Sequence, residues 1–322
     1  MGEFELIRQF FQRYSTENQP DSVILGIGDD AALLQPPAGQ ALAVTTDTLV
    51  SSVHFPPDAP AEEIAQRALR VNLSDLAAMG AEPLWFTLAL SAPELPDAWL
   101  ADFSRGLFAV AEAYGCSLVG GDTTAGPLSV TIQTMGAVAP SRALRRDGAE
   151  AGDVILVTGS TGDAAAGLAW LRERLPDPAA VEHSRYFVER YYRPSPRLAE
   201  ARSLRGLASA ALDVSDGLVA DLEHICRASD LGAELYVEEL PLSPQLRSLS
   251  DREQARRWAL AGGDDYELCF TLPEADLPAL GELIAAGDLQ AKVIGRMHPG
   301  QEVECLLQGE PYSLAERGYV HF

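Results

Sequence analysis

The sequence predicts an α/β fold in two domains, and three observations carry that reading. Short apolar runs that end in glycines and acids alternate along the chain with longer segments whose apolar residues recur at helical spacing. A chain of 322 residues, 47% hydrophobic, is long enough for two cores rather than one. A pair of motifs also recurs: Asp122 of a Gly-Gly-Asp follows Ser74-Asp75 by 47 positions, and Asp264 of a second follows Ser215-Asp216 by 48, which hints at two related halves facing each other.

Composition narrows the chemistry. A net charge of -23 argues against nucleic acid or an anionic membrane as a partner. No apolar run is long enough to span a bilayer, and Met1-Gly2-Glu3-Phe4-Glu5 lacks the basic and apolar regions of a signal peptide. Leu6 stands where a myristoylation motif needs Ser or Thr, so a soluble, cytoplasmic protein is expected. Cys116, Cys226, Cys269 and Cys305 lie far apart, and the five histidines show no zinc-protease spacing. Lys292 is the sole lysine and sits away from any glycine-rich loop. If the protein handles polyphosphates, it must do so with Mg²⁺, arginine and backbone N–H groups.

Glu3 to Tyr14 carries Phe4, Ile7, Phe10 and Phe11 at helical spacing and predicts an opening amphipathic helix. The stretch from Val23 to Val50 organises the rest of the chain. Its apolar run leads into Gly26-Ile27-Gly28-Asp29-Asp30-Ala31, and a second run ends in Thr45-Thr46-Asp47-Thr48. Such hard oxygens suit a divalent cation, which usually takes one or two carboxylates plus waters and substrate phosphates. Gly26-x-Gly28-x-x-Ala31 also matches a dinucleotide fingerprint, but Pro36-Pro37 would break the helix that must come after it. The stretch reads as strand, turn, strand, and Asp29-Asp30 as ordinary turn residues is the bland alternative.

Ala61 to Met79 predicts a long helix ending at Gly80, with Asp75 on its apolar face either as a ligand or as a solvated position. Leu84 to Ser91 reads as a strand and Asp97 to Tyr114 as a helix. Ser117 onward is a short strand that ends at Gly120-Gly121-Asp122, where glycines permit a close backbone approach or simply end the strand. Ser129 to Ala139 is a further strand, and Pro140 to Asp153 a link whose Arg145-Arg146 either aids solubility or reaches a phosphate. In the second half, Val154 to Thr158 is a strand and Gly159 to Gly162 a plain connection to a helix over Asp163 to Leu175. Arg193-Pro194-Ser195-Pro196 precedes a short helix. Asp213-Val-Ser215-Asp216-Gly217 leads into a helix through Ile225; Ser215 and Asp216 suit caps, but Asp213 lies before the cap region. Gly262-Gly263-Asp264-Asp265-Tyr266-Glu267 leads into a strand, and short strands fill Val293 to Phe322.

Six motifs, from Gly-Ile-Gly-Asp-Asp-Ala, Thr-Thr-Asp-Thr and Val-Asn-Leu-Ser-Asp-Leu to Gly-Gly-Asp-Thr-Thr, Asp-Val-Ser-Asp-Gly-Leu and Gly-Gly-Asp-Asp-Tyr-Glu, stand in the order and spacing of the thiamine-monophosphate kinases. The chain resembles that family from end to end. The resemblance implies the two-domain fold shared with aminoimidazole ribonucleotide synthetase and selenophosphate synthetase. In it the N-terminal domain, expected at residues 1–140, forms a β-barrel with its twin in a homodimer. A linker is expected at 141–153, and a C-terminal α/β domain at 154–322 closes a cleft. The implied reaction joins ATP and thiamine monophosphate to give thiamine diphosphate and ADP with several Mg²⁺ ions. Asp30, Thr45, Thr46, Asp47, Asp75, Asp122, Asp213 and Asp216 match the family's Mg²⁺ ligands; Gly121, Asp122, Arg146 and Ser215 match ATP contacts; His54, Asp264 and Tyr319 match the thiamine phosphate side. The same resemblance implies direct in-line transfer, with Asp47 bridging metals, Arg146 on the phosphates, and Asp29 and Asp265 as outer acids. The alternatives are another ATP-dependent member of this superfamily, a nicotinamide oxidoreductase, and a divalent-metal binder. Against the first, no Cys or Lys stands near the N-terminus and the chain ends in Tyr319-Val320-His321-Phe322 rather than a reactive Cys.

Overall fold

The computed structural model describes residues 3–12, 20–173 and 175–320. It divides into two compact units, the first within Met1–Leu76 and Ala81–Ser141, the second within Ala77–Gly80 and Arg142–Phe322. Among the described residues no helix is long and apolar enough to cross a membrane.

In the first unit, α1 (Glu3–Leu6) passes into a π-helical segment, Ile7–Gln12, so the predicted opening helix is wider in its second half; Arg13 and Tyr14 lie outside the described residues. β1 (Val23–Leu25) and β2 (Leu33–Leu34) pair antiparallel around the Gly26 to Ala32 turn. No helix comes after that turn, which removes the support a dinucleotide fingerprint needs. The main sheet contains β3 (Ala41–Val50), β4 (Glu82–Ala92), β5 (Ser117–Ala125) and β6 (Ser129–Val138) in the order β3-β6-β4-β5. Only β4 and β5 run parallel, joined through α3 (Asp97–Tyr114) as a crossover of that kind requires. Gly115 ends α3 in a left-handed conformation, which lets its N–H and that of Cys116 reach back to the last turn. α2 (Ala61–Ala78) is buried along Ile64, Ala65, Ala68, Leu69, Leu73 and Leu76, at the spacing of one helix face. Trp85, Phe86, Leu90 and Phe103 complete this core.

The second unit is built on a seven-stranded sheet ordered β13-β12-β9-β11-β7-β10-β8, in which only β9 and β12 run parallel. Its strands are β7 (Val154–Thr158), β8 (Ala210–Asp213), β9 (Gly232–Tyr236), β10 (Leu268–Leu272), β11 (Ala291–His298), β12 (Val303–Leu307) and β13 (Glu310–Pro311). β7, β8 and β10 are buried at every position, the mark of strands covered on both faces. One core gathers Ile155, Val157, Leu212, Leu222, Ile225 and Leu235 beside α7 (Leu218–Ser229). A smaller one holds Phe187, Leu246, Leu249 and Ala255 among α4 (Asp163–Leu171), α5 (Pro178–Tyr192), α8 (Pro244–Ser248) and α9 (Arg252–Ala261). The predicted helix over Asp163 to Leu175 stops at Leu171, and Gly167 in its middle lets it pack against the Phe187 backbone, which a Cβ there would strike. The remaining helices are α6 (Leu198–Leu204) and α10 (Leu277–Ala286).

The glycine pair at 120–121 is a correction to the sequence reading: it lies inside β5 and does not end it. Gly121 holds φ +153°, and a Cβ there would strike the backbone carbonyl of Leu88 on β4. The pair thus serves close strand-to-strand contact as well as any ligand. Gly121→Ala is expected to destabilise the first unit by more than about 2 kcal/mol, read as an earlier thermal transition, because backbone on both sides must move.

Candidate active site

Two groups of the residues singled out by sequence come together, one in each unit. In the first, β3 carries Thr45 and Asp47 on the face that α2 covers. The Thr45 hydroxyl donates to Asp75 Oδ2 at 2.5 Å, and the Asp47 N–H donates to Asn72 Oδ1 at 3.1 Å. Asn72 is fully buried and is itself fixed by donating to the Ala68 carbonyl. Asp75 is thus half-buried and engaged, which removes the reading of a merely solvated helix position. Burial and, after it, the charge of Asp75 raise the Asp47 carboxyl to about 7. Thr46 faces the opposite side, where Gln133 donates to its hydroxyl at 3.2 Å. Two carboxylates and a hydroxyl thus meet at one point, a hard-oxygen set that fits Mg²⁺ completed by water and phosphate oxygens.

The other residues of this unit lie apart from that pair. Asp30 is exposed in the β1–β2 turn, its N–H donating to Asp29 Oδ1. Asp29 therefore shapes the turn. Asp122 is on β5, at the opposite edge of the sheet from Asp47 on β3. Two strands intervene, so the two acids are roughly 14 Å apart in the sheet direction. Among the described residues no three of His, Cys, Asp and Glu are grouped to hold a metal. His54 lies in the turn after β3, where its Nδ1 accepts the Val50 N–H at 3.0 Å, which leaves the ring proton on Nε2.

In the second unit three segments converge. Asp213 ends β8, buried, and leads into the Ser215-Asp216-Gly217 turn. The Asp264 N–H donates to the Ser215 carbonyl, and the Tyr319 N–H to the Asp216 carbonyl, at 2.8 and 2.9 Å. Gly217, Gly263 and Gly318 make this convergence possible, since a Cβ on each would meet backbone of a neighbouring segment. Ser215 and Asp216 do not cap α7, contrary to what their place in the sequence suggests; Gly217 is the cap residue and no side chain caps it. Instead Asp221, in the first turn, reaches back and accepts the N–H groups of Ser215, Asp216 and Gly217 at 2.9, 3.0 and 3.1 Å. Burial lifts its carboxyl to about 7 against those three N–H groups. Sequence reasoning missed Asp221, whose one signal is an acid four residues beyond Gly217.

The arginine pair separates in function. Arg145 is held by Asp147 through two hydrogen bonds of 2.8 and 2.5 Å. Arg146 is exposed and has no carboxylate partner among the described residues, while its carbonyl accepts the Ser229 hydroxyl. Its charge adds to burial in lowering the pKa of His224. Asp265, expected as an outer acid, is buried and accepts the Gly162 and Ala164 N–H groups at 2.6 and 3.2 Å, so it caps α4. The repeated Ser-Asp and Gly-Gly-Asp motifs do not map onto equivalent elements. Ser74-Asp75 is in mid-helix and Gly120-Gly121 in a strand, whereas Ser215-Asp216 and Gly262-Gly263 are both loop segments that touch.

Acids and hydroxyls gathered on a strand, a helix and a turn, with no lysine beside them, suit phosphates carried on a cation rather than on a lysine clamp. Models of the AIR synthase related protein match both units, the N-terminal domain over residues 28–138 and the C-terminal domain over 150–308. Within that class the likeness is specific. The chain is 49% identical to thiamine-monophosphate kinase of Escherichia coli (strain K12) over 322 residues, covering all of this chain and 98% of that protein. A crystal structure of thiamine-monophosphate kinase from Stenotrophomonas maltophilia K279a superposes with a TM-score of 0.87 at 47% identity, covering 97% of this chain and 98% of that one. AaThiL complexed with AMPPCP and TMP gives 0.78 at 31% identity, covering 100% and 97%. The chain belongs to the thiamine-monophosphate kinase family. Hydrogenase-maturation proteins at 22% identity or less share the fold alone.

Asp221→Ala leaves three turn N–H groups without their acceptor. It is expected to lower stability by about 1–3 kcal/mol, read by denaturant titration, with Asp221→Asn falling between it and the unmodified chain.

Proposed function

We propose that this protein transfers the γ-phosphoryl group of ATP to thiamine monophosphate, giving thiamine diphosphate and ADP, as the last step in making that cofactor. The likeness to a thiamine-monophosphate kinase over 98% of that relative's length carries the reading. A relative solved with an ATP analogue and TMP supports both substrates. The acceptor phosphate has a second pKa of about 6 and is mostly ionised at neutral pH, so it needs no general base. It needs instead to be brought into line with a second polyanion.

The residues suit that task. Asp47 and Asp75 with Thr45 would hold Mg²⁺, as would Asp213 and Asp216 in the second unit; Asp30 and Asp122, which lie apart, would serve further ions, and Thr46, whose hydroxyl faces the other side, would join only through its backbone. The bound ions supply charge neutralisation at the phosphates. Gly121, Asp122 and Ser215 would take ATP, and Arg146, the unpaired member of its pair, would take a phosphate through its planar fork. His54, with Asp264 and Tyr319 joined through the 215–216 turn, would receive the acceptor. Transfer is direct, with no phosphoenzyme. Domains at 1–140 and 154–322 joined by 141–153 belong to the same reading, and the matched stretches, 28–138 and 150–308, lie near those bounds. Consumption of ATP suits the cytoplasm.

A homodimer also belongs to this reading. β3 and β5 are each hydrogen-bonded on one side only among the described strands, and Leu42 and Val44 on β3 are exposed at 44% and 55%. A long apolar edge of this kind calls for a partner. Two four-stranded sheets that join edge to edge make an eight-stranded barrel, and pairing β3 with β5 would bring Asp122 of one copy toward Asp47 of the other.

The first test is a product assay with Mg²⁺, ATP and thiamine monophosphate, in which ADP and thiamine diphosphate should form in equal amounts; ADP with free phosphate alone would sink the assignment. Asp47→Asn should retain the fold yet lose turnover. The Asp47 carboxyl is raised from 3.8 to about 7, so the metal-free protein loses stability as pH rises across that interval, and the full penalty persists above it. In EDTA at pH 8 the Asn variant should therefore melt no lower than the unmodified chain, and Mg²⁺ binding below pH 7 should release protons into the buffer. Leu42→Lys with Val44→Lys should shift light-scattering mass from dimer to monomer.

A further inference from the structure

The loop between α9 and β10 holds two acids that look alike in sequence, Asp264 and Asp265. Burial alternates along it: Asp265 and Glu267 are buried, Asp264 and Tyr266 half-buried. Asp264 and Tyr266 have φ of 72° and 52°, the left-handed region that residues with a Cβ avoid. Backbone strain of this kind persists only where the surroundings over-determine it, and it gathers at ligand sites.

The loop is fixed from two sides. The N–H groups of Asp264 and Tyr266 donate to the carbonyls of Ser215 and Val214, both at 2.8 Å. From behind, the Asp265 carboxylate caps α4. The Glu267 carboxylate accepts the Thr158 hydroxyl at 2.6 Å, Arg190 at 2.8 Å, and two nitrogens of Arg197 at 2.6 Å each. Every oxygen of the two buried acids is engaged. The outcome is that Tyr266 and Asp264 stand side by side, hydroxyl to Oδ1 at 3.5 Å.

We propose that Tyr266 is a further substrate-binding residue whose ring takes the thiazolium cation of thiamine monophosphate beside Asp264, and that Asp265 and Glu267 are positioning residues that hold it there. This rests on the kinase reading above. An aromatic face attracts a cation, and a neighbouring carboxylate reinforces the attraction; a neutral ring would gain from only one of the two. In the adjoining turn the Tyr319 N–H donates to the Asp216 carbonyl, so the backbone of Tyr319 is tied to the same turn as that of Asp264.

Steady-state kinetics on the full chain with Mg²⁺ test this, with thiamine monophosphate and ATP varied separately. Tyr266→Phe keeps the ring and should leave KM for thiamine monophosphate within twofold. Tyr266→Leu should raise it at least tenfold while KM for ATP stays within twofold. Tyr266→Asn, in a residue type that tolerates the left-handed region, serves the same purpose if the leucine variant does not fold. Glu267→Gln should raise the same KM in protein whose circular dichroism remains native. An unchanged KM for thiamine monophosphate in a folded Tyr266→Leu or Tyr266→Asn variant, or an equal rise in both KM values, overturns the assignment and leaves the kinase reading intact. A Glu267→Gln variant that melts earlier with native KM overturns the positioning role. Failure of the unmodified chain to form thiamine diphosphate overturns the kinase reading and this one together.

Discussion

The structure depends on how it manages its buried and half-buried carboxylates. A buried or half-buried carboxylate must find hydrogen-bond donors or a cation, because burial alone disfavours its charged form. The chain answers this in two ways. Asp221 accepts three backbone N–H groups, Asp265 two, and Glu267 a hydroxyl with two arginines. Asp163 accepts the hydroxyls of Ser160, Tyr186 and Ser243. These acids brace loops. Burial drives the carboxyls of Asp221 and Asp47 upward alike, but three N–H groups oppose it at Asp221, whereas at Asp47 the Asp75 charge adds to it. Donors that oppose the effect of burial mark an acid as structural, whereas a second carboxylate beside a buried one, as at Asp47 and Asp75, leaves a place for a cation.

That division explains which parts of the site could be read from sequence. Thr45, Asp47 and Asp75 were visible because hydroxyls and acids at the end of an apolar run, or on an apolar helix face, have few other uses. The convergence of Ser215, Asp264 and Tyr319 could be anticipated only through family resemblance, since their contact is made by backbone groups that carry no residue-type signal. Asp264 and Asp265 differ by one position and by opposite orientation, and nothing in a Gly-Gly-Asp-Asp string says which one turns inward. Asp221 was hidden for a related reason: an acid in the first turn of a helix is ordinary, and its threefold N–H contact exists only once the preceding turn folds back.

Fold legibility obeyed the same physics. Strands β7, β8 and β10 announce themselves as apolar runs because both faces are covered. The glycine pair in β5 was misplaced because glycine usually ends a strand, whereas here the approach of Leu88 requires it in the middle. The opening helix kept its period in sequence, yet its second half is π-helical, a change that leaves apolar spacing nearly intact. The echo of Ser-Asp and Gly-Gly-Asp shows the opposite hazard. Its spacing repeats, but a helix and a strand carry it in one unit and two loops in the other.

An enzyme of this design gives up a mobile lysine and relies on acids and arginines held in place by the fold. Lys292, the only lysine, is half-exposed and paired with Glu239 at 3.0 Å, on β11 and away from every segment that holds the site. A point charge on a flexible stem can track its phosphate; a fixed set of oxygens cannot, and must be built at the right separation. The strained loop at 264–266 and the close backbone packing of Gly217, Gly263 and Gly318 answer that demand. Rigid placement in the second unit is obtained by filling the space behind each site segment with a compensated acid: Asp221 behind the 215–217 turn, and Asp265 and Glu267 behind the loop that leaves α9. The abundance of carboxylates in this chain is therefore of two kinds that composition cannot separate, one set that binds and a second that holds the first in position.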